Sequence, residues 1–247
     1  MSLQACADLV AKGDPDRFAA VMAAPLAARE KLLPIYAFNV EVARAPWVAS
    51  EPMIGEMRLQ WWRDALSEIA SGTPVRKHEV TTPLGGVLDK DGAEVLDQLV
   101  AARRWDLYSD AFEDAGHFND YLDSTGGGLM WASARALGGE DEAAFRAIGR
   151  AGALANLLLA VPELEQRGRK PVVDGRPEAI RHLARRARSE LRGHSLPNAG
   201  RAATLAAWRA DTLLTRAIKD PRRVASGTLR ESEFRRRWTL VRAGFGL

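Results

Sequence analysis

The chain has 247 residues, 47% of them hydrophobic and 27% charged, which excludes a disordered chain and allows one large domain or two small ones. Cys6 is the single cysteine, and His78, His117, His182 and His194 are scattered without ligand spacing, which excludes an internal disulfide and a cysteine-based zinc site. The formal net charge of +3 hides a division: residues 1–175 carry 18 Lys+Arg against 26 Asp+Glu, and residues 176–247 carry 17 against 6.

The segments are rich in Ala, Leu and Arg, and β-branched runs are nearly absent, so the chain reads as all-α. Asp14-Pro15-Asp16 opens a helix with Phe18, Val21 and Met22 on one side. A long apolar stretch follows from Pro25 to about Ser50, in which Pro34 and Pro46 are expected to bend or break the helix. Ser50-Glu51-Pro52 starts the next helix, whose stripe holds Ile54, Met57, Trp61 and Ile69, and Ser71-Gly72-Thr73-Pro74 stops it. Residues 73–92 read as a Gly/Pro/charge-rich loop. Further helices are predicted over 93–109, 117–137, 141–165, 176–192, 200–218 and 231–243. The expectation is one domain spanning 1–247, with no internal repeat.

No run of about 18 apolar residues and no leader is apparent, so a soluble, cytoplasmic chain is expected, with peripheral contact to the inner membrane allowed by its basic end. That end suits either a solvated arginine-rich face or a surface for an anionic membrane or acidic protein; no nucleic-acid partner is expected.

Three motifs invite chemistry. Asp106, Asp110 and Asp114 would share a face of a continuous helix and could hold magnesium, although aspartates near a helix junction more often cap and turn. Thr125-Gly126-Gly127-Gly128 could cradle phosphate, but it lacks a P-loop lysine and a preceding strand, and close helix packing explains it as well. In Gln60-Trp61-Trp62-Arg63-Asp64 one tryptophan faces the core, and its neighbour, about 100° away, lines a second interface or a cavity.

Tyr36-Ala37-Phe38-Asn39 and Gly55-Glu56-Met57-Arg58-Leu59-Gln60-Trp61-Trp62-Arg63-Asp64 resemble the squalene/phytoene synthase family. Arg104-Trp105-Asp106-Leu107, Tyr121 with Thr125-Gly126-Gly127, Ala153–Leu158 and Arg167-Gly168-Arg169 agree with its later blocks, in order. The resemblance implies an isoprenoid synthase fold, with helices around a central apolar cavity. It also implies a cavity lining that includes Tyr36, Asn39, Glu41, Gln60, Arg63, Tyr121 and Asn156, with Arg44 and Arg169 able to attract a diphosphate.

In active members of the family, two aspartate-rich motifs on facing helices hold magnesium ions that neutralise the departing diphosphate. Here the corresponding places hold Val40, Ala43, Arg44 and Trp47 on one wall, and Leu159, Ala160 and Leu164 on the other. Glu41, Glu163 and Glu165 lie nearby without completing an i, i+4 carboxylate pair. Asn39-x-Glu41, Ser50-Glu51-Pro52 and the Gln60–Asp64 block resemble a divergent branch that includes mitochondrial complex I assembly factors. The reading that follows is a pseudoenzyme without cofactor or metal, acting as an assembly or lipid-binding factor on an isoprenoid or other lipid. The alternative is a magnesium-dependent head-to-head prenyl transferase condensing farnesyl or geranylgeranyl diphosphate, with a remodelled site built on Asp106, Asp110 and Glu41.

Overall fold

Residues 32–40 are buried without interruption and form the middle of α3 (Leu26–Val48), the helix against which α1 (Leu3–Gly13), α2 (Pro15–Ala23) and α4 (Pro52–Ala70) pack. The computed structural model describes residues 3–49, 51–194 and 198–245. α5 (Thr81–Gly85) and α6 (Lys90–Arg103) follow, then a short 3-10 helix at Arg104–Leu107. α7 (Ala115–Leu122) runs through a π-helical turn, Asp123–Gly127, into α8 (Gly128–Ala136). α9 (Glu142–Gln166), α10 (Pro177–Arg192), α11 (Ala210–Lys219), α12 (Arg222–Ala225) and α13 (Glu233–Phe245) complete the order, with a 3-10 segment at Arg201–Ala207 ahead of α11. Among the described residues there is no strand.

Aspartates start four of these helices by accepting from a backbone N–H of the first turn: Asp14 from Arg17, Asp89 from Gly92, Asp114 from His117 and Asp141 from Ala144. Buried apolar side chains from Cys6 to Leu229 form one contiguous cluster.

Pro34 and Pro46 do not break α3, contrary to expectation. Pro34 deprives the carbonyl of Glu30 of its helical partner, but Glu30 lies on the exposed side of the helix, open to solvent. Burial of Leu32, Leu33, Ile35, Tyr36 and Phe38 outweighs the roughly 3 kcal/mol that an internal proline costs. Three other boundaries also differ. The 93–109 helix tightens to 3-10 at Arg104, the 73–92 loop contains α5, and the 200–218 helix is split at Trp208 and Arg209. Glu51 occupies the cap position of α4, while Ser50 lies outside the described residues.

The glycine run is a packing device. A Cβ on Gly126 would sit 2.3 Å from the Ala153 Cβ and 2.7 Å from the Gly149 carbonyl oxygen, and one on Gly149 would sit 2.4 Å from the Gly126 oxygen. The π-turn therefore lies backbone to backbone against α9. Asp123 fastens the crossing, accepting from Arg146 at 2.8 Å and from Arg150 at 2.7 Å. Gly126→Ala should lower stability by about 2–3 kcal/mol in urea unfolding, the cost of overpacking a rigid contact. Gly175→Ala, whose nearest neighbour is a flexible Val172 methyl at 3.8 Å, should stay within about 0.5 kcal/mol of the parent chain.

Candidate functional site: a central cavity with internally paired charges

A cavity of about 320 Å³ lies between α3, α9, the 103–106 segment and the π-turn. Helical spacing selects its walls. Asn39, Ala43 and Trp47, at i, i+4 and i+8, line it from α3, while Ala153, Asn156, Leu157, Ala160 and Leu164 line it from α9. Arg103, Trp105, Asp106, Phe112 and Tyr121 close one end, and Asp14 and Arg17 enter from the start of α2.

The charges in this cavity are already engaged. Asp106, buried, accepts from Arg103 at 2.9 Å and from the Tyr121 hydroxyl at 2.8 Å, and Arg103 also donates to that hydroxyl at 2.8 Å. Burial pushes the Tyr121 phenol far above its ordinary range, against the opposing pull of Arg103. Burial also works against the charge of Arg103, but Tyr121 and Asp106 reverse this and hold the guanidinium protonated. Asp14 accepts from Arg17 at 2.6 Å. Arg169 donates to the backbone carbonyls of Asp106, at 2.6 Å, and of Tyr108.

Three buried donors on the lining residues, Arg17 Nε, Arg103 Nε and Trp105 Nε1, have no partner among the described residues. Trp105 stacks on Phe112 with centroids 3.9 Å apart, and Tyr121 lies 5.4 Å from both rings. At the solvent edge Trp47, 40% exposed, carries Arg167 and Arg169 over its ring at 5.0 and 5.1 Å.

Of the residues singled out from sequence, Asn39, Tyr121, Asn156 and Arg169 meet at this cavity. Tyr36 is one turn deeper, fully buried under Arg17 at 5.2 Å, and its hydroxyl has no partner among the described residues. Glu41 and Arg44 pair with each other at 2.9 Å on another face of α3, in a separate groove between α3 and α4 that Trp61, Trp62 and His78 also line. Gln60 is exposed and bonds Asp64, and Arg63 forms a two-pronged pair with Asp97 of α6. These four do not face the central cavity, because Leu59, Trp62, Leu66 and Ile69 take the inward face of α4, and Asn39, Ala43 and Trp47 take the cavity face of α3.

Asp106, Asp110 and Asp114 do not share a helix face either: Asp106 is on the 3-10 helix, Asp110 is exposed in the following loop, and Asp114 caps α7. Two principal residues of the site, Arg17 and Arg103, escaped the sequence reading. Their signals were the i, i+3 spacings Asp14–Arg17 and Arg103–Asp106, which are common on solvated surfaces.

The cavity carboxylates Asp14 and Asp106 are each paired with an arginine. Magnesium takes oxygen ligands, and these two carboxylates are the acidic groups that line the cavity among the described residues. Ala43, Trp47, Ala160 and Leu164, which stand where the family resemblance calls for carboxylates, offer none. Among the described residues no three His, Cys, Asp or Glu side chains are grouped to hold a metal.

Helices enclosing a cavity in this order define an isoprenoid synthase fold. A dehydrosqualene synthase solved with ligand superimposes with a TM-score of 0.76 at 16% identity, covering 99% of this chain and 95% of that one. Squalene synthase HpnC from Alicyclobacillus acidocaldarius gives a TM-score of 0.60 at 15% identity, covering 98% and 92%. The sequence pattern of the squalene/phytoene synthase family matches residues 10–172, and the chain belongs to that family. Complex I assembly factor 6 of Bos taurus and of Homo sapiens are each 26% identical to it over 172 residues, which is 64% of this chain and 48% of theirs. A Drosophila melanogaster homologue is 28% identical over 167 residues, 64% of this chain and 50% of its own. The chain thus spans about half the length of the curated relatives it matches.

The raised phenol pKa values carry a sign. Tyr36 and Tyr121 are both shifted upward by burial, so stability is fully present below the unfolded value of about 10 and is lost as pH rises, because the unfolded chain releases both protons first. Native protein at about pH 11 should therefore show fewer phenolates by ultraviolet absorbance than the three its sequence carries, the rest appearing on unfolding. Asp106→Asn, which leaves Arg103 without its counter-charge, should cost about 3 kcal/mol in urea unfolding.

Proposed function

We propose that this protein is a non-catalytic member of its family that holds an apolar lipid, isoprenoid or similar, in the central cavity and serves as an assembly factor. The observation that carries the reading is the pair of facing walls: Ala43 and Trp47 on α3, and Ala160 and Leu164 on α9. Ionising an allylic diphosphate requires that the leaving group's growing negative charge be neutralised, and metal ions held by carboxylates on both walls do this in active members. In this chain Asp14 and Asp106 are each committed to an arginine.

What remains suits binding. The volume falls in the range of small-molecule sites, the lining is largely apolar, and the unpartnered donors of Arg17, Arg103 and Trp105 favour a ligand with a hydrogen-bond-accepting end. The similarity to complex I assembly factor 6 supports an assembly role for the polypeptide around that cavity. A prenyl transferase using Asp106, Asp110 and Glu41 would need carboxylates that lie in a buried ion pair, an exposed loop and a separate groove.

Incubation with labelled farnesyl diphosphate, magnesium and a reductant should yield neither presqualene diphosphate nor squalene; accumulation of either product overturns the reading. Farnesol or farnesyl diphosphate should raise the melting temperature equally with and without magnesium, since the metal has no seat here. Ala160→Trp, which fills the cavity, should abolish that shift. For the assembly role, deletion in the native organism should deplete assembled NADH dehydrogenase, and normal levels of the complex would remove that part of the proposal.

A further inference from the structure

The last helix has two unlike faces. Arg236, Thr239, Leu240 and Ala243 of α13 are half-buried against the body, where the helix packs on α2. Arg236 reaches Asp16 at 2.5 Å and Glu233 at 3.0 Å. On the opposite side Phe234 is 80% exposed, Trp238 56% and Val241 47%. Spaced i, i+4 and i+7, these three form one stripe, within about 60° of arc at 100° per residue. Arg235 and Arg242 border the stripe on one side and Arg237 on the other, all three exposed. None of them pairs with a carboxylate among the described residues, and Glu233, the acidic residue of this helix, is taken up by Arg236.

We propose that α13 docks on an anionic lipid bilayer, with Phe234, Trp238 and Val241 in the headgroup–acyl boundary and Arg235, Arg237 and Arg242 at the level of the lipid phosphates. The argument is charge complementarity combined with shape. A helix of low mean hydropathy, with a narrow aromatic stripe and arginines on both flanks, has the composition of an interfacial helix lying in the membrane plane. The Trp238 indole combines an apolar body with an N–H donor, which suits the headgroup depth, Phe234 and Val241 add apolar area, and the guanidiniums form paired hydrogen bonds with phosphate. The surface is independent of the cavity reading, since none of these side chains lines the cavity.

The test uses the full chain and sedimentation with two kinds of vesicle, phosphatidylcholine alone and phosphatidylcholine mixed with phosphatidylglycerol. Binding is expected on the mixed vesicles only, and it should weaken as salt screens the charges. R235Q/R237Q/R242Q should reduce partitioning about a hundredfold, roughly fivefold per arginine. F234S/W238S should reduce it at least about tenfold through lost apolar burial. R185Q/R201Q, which removes two exposed arginines elsewhere in the basic region, should change it less than about threefold. All these side chains point to solvent, so the melting temperature should not move, and single variants should show graded losses that unfolding would not produce. An environment-sensitive dye on Trp238→Cys should shift to the blue on mixed vesicles, while the same dye on Arg201→Cys should not. Equal binding to both vesicles, binding to neither, an undiminished triple variant or an unmoved dye at position 238 would each overturn the assignment. Failure to bind either vesicle would assign the stripe to a protein partner instead.

Discussion

The structure depends on how closely the π-turn approaches α9. With Gly126 and Gly149 facing each other, each backbone occupies space that a side chain would otherwise hold, and the separation is fixed by carbonyl and α-carbon contact. Such a contact is rigid, because main-chain atoms cannot change rotamer to relieve a clash. Gly126 and Ala153 are also part of the cavity lining, so the crossing that joins these helices determines the shape of the chamber beside it. Asp123, bonded to Arg146 and Arg150, prevents the two segments from sliding along each other.

The charged groups of the cavity wall are largely paired with one another. Arg103, Asp106 and Tyr121 bond one another and join the end of α6 to α7, so their opposite charges are paired within the wall while Arg103 Nε stays unpartnered among the described residues. Breaking such a triad strands a buried charge, whereas the intact triad presents little net field to the interior. Trp47 lies at the rim with the Arg167 and Arg169 guanidiniums over its ring, so these cations contact the aromatic face.

Helix type and order were legible in the sequence because good helix formers dominate and β-branched runs are scarce, because α10 and α11 carry clear apolar stripes, and because aspartates mark several helix starts. The persistence of α3 through Pro34 was not legible, since it depends on tertiary burial that a local proline rule cannot weigh. The short α1 is not evident from sequence either: at 11 residues it is too short to be stable alone, and packing against α3 holds it. For the site, ordered family blocks pointed to Asn39, Tyr121 and Asn156, but membership of a block does not say which way a side chain turns. Glu41 and Arg44 are close to Asn39 in sequence yet face another groove, and the i, i+4 rule applied from Asn39 would have separated them. Arg17 is 86 residues from Arg103 along the chain, and only the folded structure brings both to one cavity.

Asp16 joins the two ends of the molecule. It sits beside the cavity residue Arg17 and accepts from Arg209, 193 residues later, and from Arg236, 220 residues later. Arg209 in turn holds Glu231, whose side chain is wholly buried, just ahead of α13. Contacts of such sequence separation form late, since a long loop must close before any of them is made. On the ribosome this joint stays open until α13 has emerged, after α3 to α9 have become available to pack. The start of α2, which supplies Asp14 and Arg17 to the cavity, is thus tied through Asp16 to residues far along the chain, so a change at Arg209 or Arg236 reaches the cavity wall without touching it.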